Sequence, residues 1–293
     1  MNVLLLGMGY WGQILHKNIL ELYPDVGVQT WDPRWDDPIG RAEKLARSSH
    51  VIIATPAMTH YEIVKECLKK GKHVFCEKPL VLKSLQAEEL YALAESKDLK
   101  LHVDWVFCFN PIIQKLKKKI QGGELAPLRS AFMNRLNLGP VRYDVSARWD
   151  LLSHDISILF YLLGDSHELR GEFFDLKLND SDIKAPSDTS IGVVRIMNKE
   201  QRCVGYGNIN TSWEFGEKVR DCWLQFGDEV VYWNDAKGMV RYNGEEEVYN
   251  GSPLHASIRH FFENSVHTVN SQKDLTLKIT KFVETNAQCE ELR

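Results

Sequence analysis

The sequence predicts an N-terminal α/β domain built on a doubly wound parallel sheet, followed by an α+β domain with an open, largely antiparallel sheet. The chain of 293 residues is long enough for about two domains. Its first hundred residues alternate short apolar segments with amphipathic helices, which is typical of a parallel sheet covered on both faces. Beyond them lies a run of strand-like segments, several of which alternate polar with apolar residues. We therefore expect one domain at residues 1–105 and a second at 106–293.

The elements of the first domain follow from apolar runs and helix-end signals. Five strands are predicted at 3–6, 26–31, 51–54, 73–76 and 99–103. Helices are predicted at 10–22, 61–70 and 84–96. Pro24 ends the first of these helices, Gly71 ends the second, and Ser84 is the expected N-cap of the third. Strands that are apolar on both faces and separated by helices indicate the doubly wound arrangement.

The second domain begins with a helix that Asn110 caps, Pro111 opens and Gly122 ends. The remaining predicted elements are a strand at 128–136, a helix at 149–163 closed by Gly164, strand-like segments at 168–178, 191–197, 202–210, 219–226, 230–233 and 239–242, and helices at 254–269 and 275–292. This order predicts one sheet with a single face covered by helices.

The composition excludes several classes of protein. Hydrophobic residues make up 44% and charged residues 26%, as in ordinary globular proteins, so the chain is neither disordered nor fibrous. No apolar run approaches the ~20 residues that span a bilayer. The net charge of −4 argues against a nucleic-acid-binding protein. We expect the apolar start of the chain to be a buried strand rather than a signal peptide.

Cysteine and histidine usage offers no metal or redox motif. No two of the six cysteines lie closer than nine residues, which excludes Cys-x-x-Cys, and the ten histidines show no ligand spacing. We expect no metal site, reduced and mostly buried thiols, and a cytoplasmic location. The cysteines are Cys67, Cys76, Cys108, Cys203, Cys222 and Cys289.

The segment after the first predicted strand has the Gly-x-Gly-x-x-Gly pattern of a dinucleotide-binding (Rossmann) fold. Gly7 permits the tight turn, Gly9 lets the backbone approach a pyrophosphate, and Gly12 lets helix and strand lie close together. Tyr10 and Trp11 begin the helix, whose N-terminus faces the anion. The pattern therefore predicts a bound dinucleotide and assigns these five residues to its site.

Asp32 follows the second predicted strand, 20 residues after Gly12, where a carboxylate binds the ribose hydroxyls of the adenosine. Because a carboxylate there repels a 2′-phosphate, we expect NAD in preference to NADP. Arg34 lies two residues further on and can partly compensate that charge. The alternative for Arg34 is a solvated loop arginine.

Two further motifs follow the third and fourth predicted strands, whose carboxyl ends border the cofactor crevice of a doubly wound fold. Thr55 and Pro56 are placed to touch the ribose or nicotinamide, and His60 either contacts the cofactor or makes a local hydrogen bond. Glu77 and Lys78 follow the fourth strand, where an ammonium can hydrogen-bond a substrate hydroxyl and stabilise a developing oxyanion. An isolated Glu-Lys pair is otherwise a common surface pair.

A fourth motif lies on the predicted helix at 149–163. Asp150 and His154 are four residues apart and therefore share one helix face, so the carboxylate and the imidazole can converge on one substrate. A histidine there can take a hydroxyl proton while hydride leaves the same carbon. Asp155 lies about 100° around the helix and is expected to face elsewhere.

These four motifs, in this order, resemble the Gfo/Idh/MocA oxidoreductase family, and the resemblance covers essentially the whole chain. It implies that Lys78 is the active-site lysine, His154 the acid/base and Asp150 a substrate-binding or orienting carboxylate. It also implies a cis peptide bond between Lys78 and Pro79. Many members have a second Asp three residues after the histidine, and this chain has Ser157 there.

A subgroup resemblance adds a substrate class. Residues 135–145 and 149–157 look like members that oxidise nucleotide-sugars, such as the UDP-N-acetylglucosamine 3-dehydrogenase type. Residues 129–148 also hold four arginines, no lysine and the single acid Asp144, and arginine forks suit a diphosphate. Scattered surface arginines are the alternative. The arginines are Arg129, Arg135, Arg142 and Arg148, and the candidate substrate-binding residues are Arg135, Asn137, Arg142 and Trp149.

The resemblance thus implies an NAD-dependent dehydrogenase that oxidises a secondary hydroxyl of a sugar to a ketone. Hydride would pass to the nicotinamide and the proton to His154, while Lys78 and Asp150 position the hydroxyl. Three alternatives remain: another sugar or polyol substrate, redox-assisted glycoside hydrolysis, and a non-catalytic dinucleotide-binding regulator. The intact Lys78, Asp150 and His154 argue against the regulator.

The expected partners are the sugar or nucleotide-sugar substrate and further copies of the same chain, with no nucleic acid and no membrane. In the family the open sheet commonly pairs between subunits, which implies a homodimer or homotetramer. Trp213, Trp223 and Trp233 lie on the predicted strands of that sheet and are candidates for the subunit contact.

Overall fold

The computed structural model describes residues 1–139, 142–178 and 186–286. Outside the described residues lie Cys289, the predicted end of the last helix and Val141 of the subgroup motif. The chain divides into two compact units. The first unit consists of Met1–Val106 and Ser252–Thr280, and the second of Phe107–Gly251 with the chain from Lys281 onward. The first boundary lies next to the predicted one, but residues 252–280 return to the first unit instead of belonging to the second.

The strands and helices agree with most of the predicted elements. The strands are β1 (Asn2–Leu6), β2 (Gly27–Trp31), β3 (His50–Ile53), β4 (His73–Cys76), β5 (Leu101–Val103), β6 (Leu128–Leu138), β7 (His167–Leu176), β8 (Thr189–Asn198), β9 (Cys203–Ser212), β10 (Glu214–Phe226), β11 (Glu229–Asn234), β12 (Met239–Tyr242) and β13 (Glu245–Val248). The helices are α1 (Tyr10–Leu22), α2 (Pro38–Arg47), α3 (His60–Lys69), α4 (Ser84–Ser96), α5 (Pro111–Gln121), α6 (Ser153–Leu163), α7 (Pro253–Glu263), α8 (Val266–Asn270) and α9 (Lys273–Asn286).

The first unit is the expected doubly wound domain. Its five strands are parallel and lie in the order β2-β1-β3-β4-β5. The order reverses between β1 and β3, so the chain leaves the carboxyl ends of these neighbouring strands toward opposite sides and opens a crevice there. Residues of the returning segment complete the core: Leu254, Ile258 and Phe261 are buried in one apolar cluster with Leu5 and Phe75.

Three helix predictions need correction. The helix α2 was not predicted, because it is polar overall and only Leu45 of its ten residues is buried. Ser84 is the first helical residue of α4 rather than its cap, which is Lys83 without a side-chain cap bond. The predicted helix at 254–269 is interrupted at Ser265, which caps α8 by accepting a hydrogen bond from the Thr268 amide. Helices stop where such a cap offers their end groups a partner.

The second unit contains an eight-stranded mixed sheet in the order β13-β12-β11-β10-β6-β9-β8-β7. Neighbouring strands are antiparallel except β6 and β9, so the sheet is largely antiparallel, as predicted. One face carries buried side chains such as Met133, Leu224 and Val231, while the other exposes Phe132 and Tyr206. This alternation is typical of an antiparallel sheet with one covered face. The helix α6 contributes nine buried residues to the same unit.

The three candidate tryptophans of the subunit contact separate in the structure. Trp213 and Trp233 are each only 2% exposed and belong to the core of their own unit, so the expectation that they form a subunit contact is wrong. Trp223 lies on the open face and is 40% exposed. The period of two in a strand explains the difference, because Trp223 and Trp233 occupy opposite faces of the sheet.

No helix among the described residues combines the length and the apolar composition needed to cross a membrane. The described cysteines are all free, and Cys203 is the exposed one among them. The other four are buried, in agreement with the predicted thiols.

Candidate functional site

The glycine loop after β1 has the geometry that its pattern predicts. Gly7 adopts φ +91°, and a Cβ there would lie 2.6 Å from the Ala54 carbonyl oxygen. A Cβ on Gly12 would lie 1.9 Å from the Gly7 carbonyl oxygen, so only glycine allows helix and strand to approach so closely. A Cβ on Gly9 would meet nothing within 4 Å, which leaves open space where a pyrophosphate would approach. The loop therefore fits a dinucleotide.

The start of α1 can also hold an anion. Its N-cap, Gly9, offers no side-chain cap bond, so the first amides of the helix are not satisfied by a side chain. Tyr10 is 77% exposed, Trp11 is also exposed, and their rings meet edge to face with centroids 6.0 Å apart. Both aromatic side chains are thus accessible beside the glycine loop.

Asp32 ends β2 as a buried carboxylate that is bonded to the glycine loop. Its Oδ2 accepts a hydrogen bond of 2.7 Å from the Met8 amide. Arg34 donates from Nε to Oδ1 at 2.7 Å and from Nη2 to Oδ2 at 2.8 Å. The Arg34 hydrogen bond lowers the pKa of Asp32 to about 2, so the carboxylate is ionised at neutral pH. Arg34 therefore compensates the charge of Asp32 instead of standing free in solvent, and its guanidinium lies 4.3 Å from the centre of the Trp35 ring.

His60 connects two loops of the first unit. Its Nε2 lies 2.8 Å from the Thr55 carbonyl oxygen, and its Nδ1 lies 2.8 Å from the Pro79 carbonyl oxygen. The ring is buried, so both of its nitrogens contact protein carbonyl groups and not solvent or a ligand. This placement favours the local role of His60 over a cofactor contact. Thr55 is half-buried and accepts a hydrogen bond from the Thr59 hydroxyl, while Pro56 is exposed.

Glu77 and Lys78 are both buried at the end of β4, and the Lys78–Pro79 peptide bond is cis, as predicted. The Glu77 amide donates to the Ile53 carbonyl oxygen at 2.9 Å, which fixes the chain beside the end of β3. The burial of Lys78 excludes the surface-pair interpretation of this motif. It also keeps the Lys78 side chain largely out of water, where a charge acts more strongly on neighbouring groups than it does in water.

One such neighbour, Asp104, was missed by the sequence analysis. It follows β5, its amide donates to the Cys76 carbonyl oxygen, and its Oδ1 accepts a 2.6 Å hydrogen bond from Ser257. Burial raises the pKa of Asp104 to about 6, while the Ser257 hydrogen bond and the Lys78 charge oppose this rise. Its position immediately after a predicted strand was the available signal, whereas its partner Ser257 is 153 residues away.

In the second unit, Asp150 and His154 lie on two different kinds of helix. Arg148–Leu152 form a π-helical turn, and His154 lies in the first turn of α6. The predicted helix over 149–163 is present, but its start is π-helical, and this wider turn changes the i,i+4 relation between Asp150 and His154. The Asp150 Oδ1 accepts a 3.1 Å hydrogen bond from Arg142. The half-buried His154 ring stands edge-on to Phe107, with ring centroids 4.9 Å apart.

Arg135 is buried and bonded to Asp155. Its Nη2 lies 2.7 Å from Oδ1, and its Nε lies 3.2 Å from both carboxylate oxygens. Its guanidinium also lies 4.3 Å from the centre of the Phe107 ring, on which His154 packs. As expected, Asp155 faces elsewhere than Asp150 and His154. Its pairing with Arg135 was not predicted. The Arg135 guanidinium is therefore paired instead of free, and it packs on the same phenyl ring as His154.

The other candidate substrate residues also have partners within the unit. Arg142 donates to both oxygens of Asp144, and Asn137 donates to the Gly139 carbonyl oxygen at 3.1 Å. Arg148 is buried against Asp175, Trp149 is buried, and Arg129 alone of the four arginines is exposed. The alternative of scattered surface arginines therefore fits only Arg129. The described residues contain no group of three or more potential ligands that could hold a metal ion.

Comparison with known proteins finds a family match within the first unit. Residues 35–105 match the family model of the Gfo/Idh/MocA oxidoreductases, described as an oxidoreductase family with an NAD-binding Rossmann fold. An uncharacterised oxidoreductase of Bacillus subtilis, YfiI, is 42% identical over 27% of this chain and 20% of its own. UDP-N-acetylglucosamine 3-dehydrogenase of Acidithiobacillus ferrooxidans is 29% identical over 41% of this chain and 37% of its own. The matched segments therefore span well under two thirds of these curated relatives.

Two solved structures share the whole fold. The structure of the same Acidithiobacillus ferrooxidans dehydrogenase superposes with a TM-score of 0.75 at 20% identity, covering 98% of this chain and 99% of its own. KijD10, a 3-ketoreductase from Actinomadura kijaniata in complex with TDP-benzene and NADP, gives a TM-score of 0.77 at 18% identity, covering 98% and 97%. At these identities the likeness establishes the two-domain fold.

Proposed function

The chain carries the NAD-binding Rossmann domain of the Gfo/Idh/MocA oxidoreductase family, and from this premise we propose that it oxidises a secondary hydroxyl of a nucleotide-linked sugar to a ketone. The observation that carries the proposal is the short segment from Arg148 to Leu163. It holds a carboxylate and an imidazole, Asp150 and His154, four residues apart and fixed by Arg142 and Phe107. The Acidithiobacillus ferrooxidans relative, which acts on a nucleotide-sugar according to its name, supports this substrate class.

The first unit fits a dinucleotide by its own geometry. The open space at Gly9, the uncapped start of α1 and the ionised Asp32 would hold the pyrophosphate and the adenosine ribose. A bound nicotinamide would supply the hydride acceptor. Between the two cofactors we propose NAD, because Asp32 repels a 2′-phosphate, although Arg34 offsets part of this charge.

The proposed roles of this chain's residues follow from their chemistry. His154 accepts the proton of the reacting hydroxyl as a general base. Lys78 donates a hydrogen bond to the hydroxyl oxygen and stabilises its developing negative charge. Asp150, held by Arg142, orients the sugar. Arg142, Asn137 and Trp149 are proposed to line the substrate site, whereas Arg135 positions the His154 ring through Phe107.

Reduction of NAD or NADP, followed by absorbance at ~340 nm, tests the proposal with UDP-N-acetylglucosamine, UDP-glucose, myo-inositol and free N-acetylglucosamine. We expect turnover with a UDP-sugar, formation of its ketone, and a loss of turnover in His154→Asn. Turnover with the polyol or the free sugar alone would show that the substrate is not a nucleotide-linked sugar. Cleavage of a glycoside without net cofactor reduction would indicate the hydrolytic alternative, and dinucleotide binding without any turnover would indicate a regulator.

We further propose that two or four copies assemble through the open face of the second unit's sheet. Phe132, Tyr206, Trp223 and Val230 are exposed on that face, and a large exposed apolar surface is typical of an interaction site. The free, mostly buried cysteines support a cytoplasmic location. Light scattering on the purified protein measures the assembly, and Trp223→Glu should reduce the measured mass.

A further inference from the structure

Arg220 lies on the covered face of the second unit's sheet and has an unusual neighbour. Cys222 and Leu224, two and four residues further along β10, point to the same face and are buried. In the register of β10 and β6, Arg220 lies directly opposite Arg135. Two like charges in that arrangement repel each other, so the pair destabilises the sheet unless other charges compensate it.

The compensation reaches only one of the two arginines. Asp155 accepts three hydrogen bonds from Arg135. The Nε of Arg220 is buried without a hydrogen-bond partner, and within the described part of the chain no ion pair includes Arg220. Burial, followed by the Arg135 charge, lowers the pKa of Arg220. The residue as a whole is half-buried, and a buried N–H group without a partner carries a desolvation cost.

Three carboxylates surround Arg220 and partly offset the charge of Arg135, but each is already engaged elsewhere. Asp155 accepts a hydrogen bond from Arg135, Asp150 accepts one from Arg142, and Asp235 accepts one from the Tyr249 hydroxyl. The Asp235 amide does bond the Arg220 carbonyl oxygen, which leaves the guanidinium itself unbound. Within the described chain Arg220 thus has carboxylates near it but no direct ion pair, and the proposed substrate-orienting residue Asp150 is among these neighbours.

We propose that Arg220 binds an oxyanion of the substrate, either the diphosphate of a nucleotide-linked sugar or the carboxylate of a sugar acid. This inference rests on the proposed function and adds to it the group that selects an anionic sugar. A guanidinium presents paired donors that match a phosphate or carboxylate, and an anion at this place would neutralise the repulsion between Arg135 and Arg220.

Calorimetric binding of UDP, pyrophosphate, D-glucuronate and neutral D-glucose tests the proposal without any turnover. The variants are Arg220→Met, which removes the charge, and Arg220→Lys, which keeps it, with Arg202→Met in the exposed turn before β9 as the matched control. We expect Arg220→Met to weaken binding of an anionic probe by about 10–100-fold, Arg220→Lys to weaken it less, and the control and glucose to show no change. Loss confined to UDP and pyrophosphate identifies a diphosphate, and loss confined to glucuronate a carboxylate.

The proposal is overturned if the wild-type protein binds none of the anions, or if Arg220→Met binds them with unchanged affinity. If Arg220→Met does not fold, the comparison of wild type with Arg220→Lys decides, because equal affinities and an equal thermal shift on adding UDP would also overturn it. The proposed function is judged separately. A UDP-sugar oxidised with an unchanged KM in Arg220→Met refutes this inference alone, whereas Arg220-dependent UDP binding without turnover on any sugar refutes the dehydrogenase alone.

Discussion

The two units each contain an aspartate–arginine pair with a shortest distance of 2.7 Å, and the two pairs differ in the exposure of the arginine. Asp32 and Arg34 are two residues apart, and the Arg34 side chain is 56% exposed. Asp155 and Arg135 come from a helix and a strand 20 residues apart, and each side chain is only 3% exposed. In the first pair only the Arg34 guanidinium can exchange its contacts for water, because the Asp32 side chain is 5% exposed, whereas neither side chain of the second pair can. The first unit therefore has a charge pair open to a ligand, and the second has one that serves as internal support.

This difference also explains what each region can bind. The Asp32 carboxylate accepts four hydrogen bonds, from the Met8 amide, the Arg34 amide and two side-chain nitrogens of Arg34, so ribose hydroxyls can bind it only where the exposed Arg34 guanidinium gives up its contacts. The Asp155 carboxylate is used up by Arg135, and the support it provides passes through Phe107 to His154. Changes in the first region should therefore alter cofactor binding, and changes in the second should alter turnover or folding.

The largest effect is expected for His154→Asn. Asparagine keeps some hydrogen bonding but cannot accept the proton, so we expect kcat to fall by about 10²–10⁴-fold while NAD binding is unchanged. Because only a neutral imidazole accepts a proton, wild-type oxidation should rise with pH across the neutral range and then level off. Lys78→Ala should lower kcat and keep this rise. An unchanged rate and pH profile in His154→Asn would move the base to Lys78 or Tyr143.

Asp155→Asn tests the buried pair. The substitution leaves the Arg135 guanidinium buried without a counter-charge, and we expect the free energy of unfolding to fall by about 3–5 kcal/mol. Urea denaturation followed by far-UV circular dichroism measures it. The double variant Arg135→Met/Asp155→Leu, which removes both charges, should recover most of the loss. A cost below about 1 kcal/mol for Asp155→Asn would show that the buried pair behaves like the exposed one.

Two glycines of the first unit separate folding from cofactor binding. Gly12→Ala places a Cβ 1.9 Å from a backbone oxygen, so we expect a loss of about 1–3 kcal/mol in the free energy of unfolding. Gly9→Ala meets open space in the free protein, so we expect near-wild-type stability with at least about tenfold weaker NAD binding. Thermal unfolding and calorimetry on both variants measure this. Equal NAD affinity in Gly9→Ala would contradict the assigned pyrophosphate position.

The exposed pair should appear in the pH dependence of stability. In the folded protein the pKa of Asp32 is about 2, which lies below its value of about 3.9 in the unfolded chain. The unfolded state therefore binds more protons, and stability supplied by Asp32 is present above pH ~4 and is lost as the pH falls toward ~2. We expect Arg34→Gln to raise the pKa of Asp32 toward its unfolded value, and therefore to lower the melting temperature at pH 6 but not near pH 2. A difference that does not depend on pH would assign the effect to packing of Arg34 instead.

The smallest expected effect concerns cofactor choice. Asp32→Ala removes the acceptor of the ribose hydroxyls and the repulsion of a 2′-phosphate, so NAD binding should weaken more than NADP binding. We expect the ratio of the two dissociation constants to change by about tenfold, which is about 1.4 kcal/mol. Calorimetry with each dinucleotide gives the ratio. A wild-type preference of tenfold or more for NADP would make Arg34 the selecting residue and refute the role of Asp32.

The sequence by itself determined the doubly wound first unit and its glycine loop. Strands that are apolar on both faces, the glycines at positions without room for a Cβ, and the carboxylate at the end of β2 are all set by neighbouring residues. The cap of α5 belongs here too, because Asn110 accepts a hydrogen bond from the amide two residues on. Such features depend on short-range sterics and local hydrogen bonds, and they can therefore be predicted from a short segment of sequence.

Only the tertiary structure decided the partners of the buried charges and the place of residues 252–280. The return of Phe261 to the core with Phe75, the Ser257 bond to Asp104 and the opposition of Arg220 to Arg135 join residues 85–186 positions apart. Periodicity marks which side chains turn inward, but it carries no information on which inward groups meet. That choice depends on how the whole core buries its surface and satisfies each charge at once, because desolvation is a property of the assembled environment rather than of the segment.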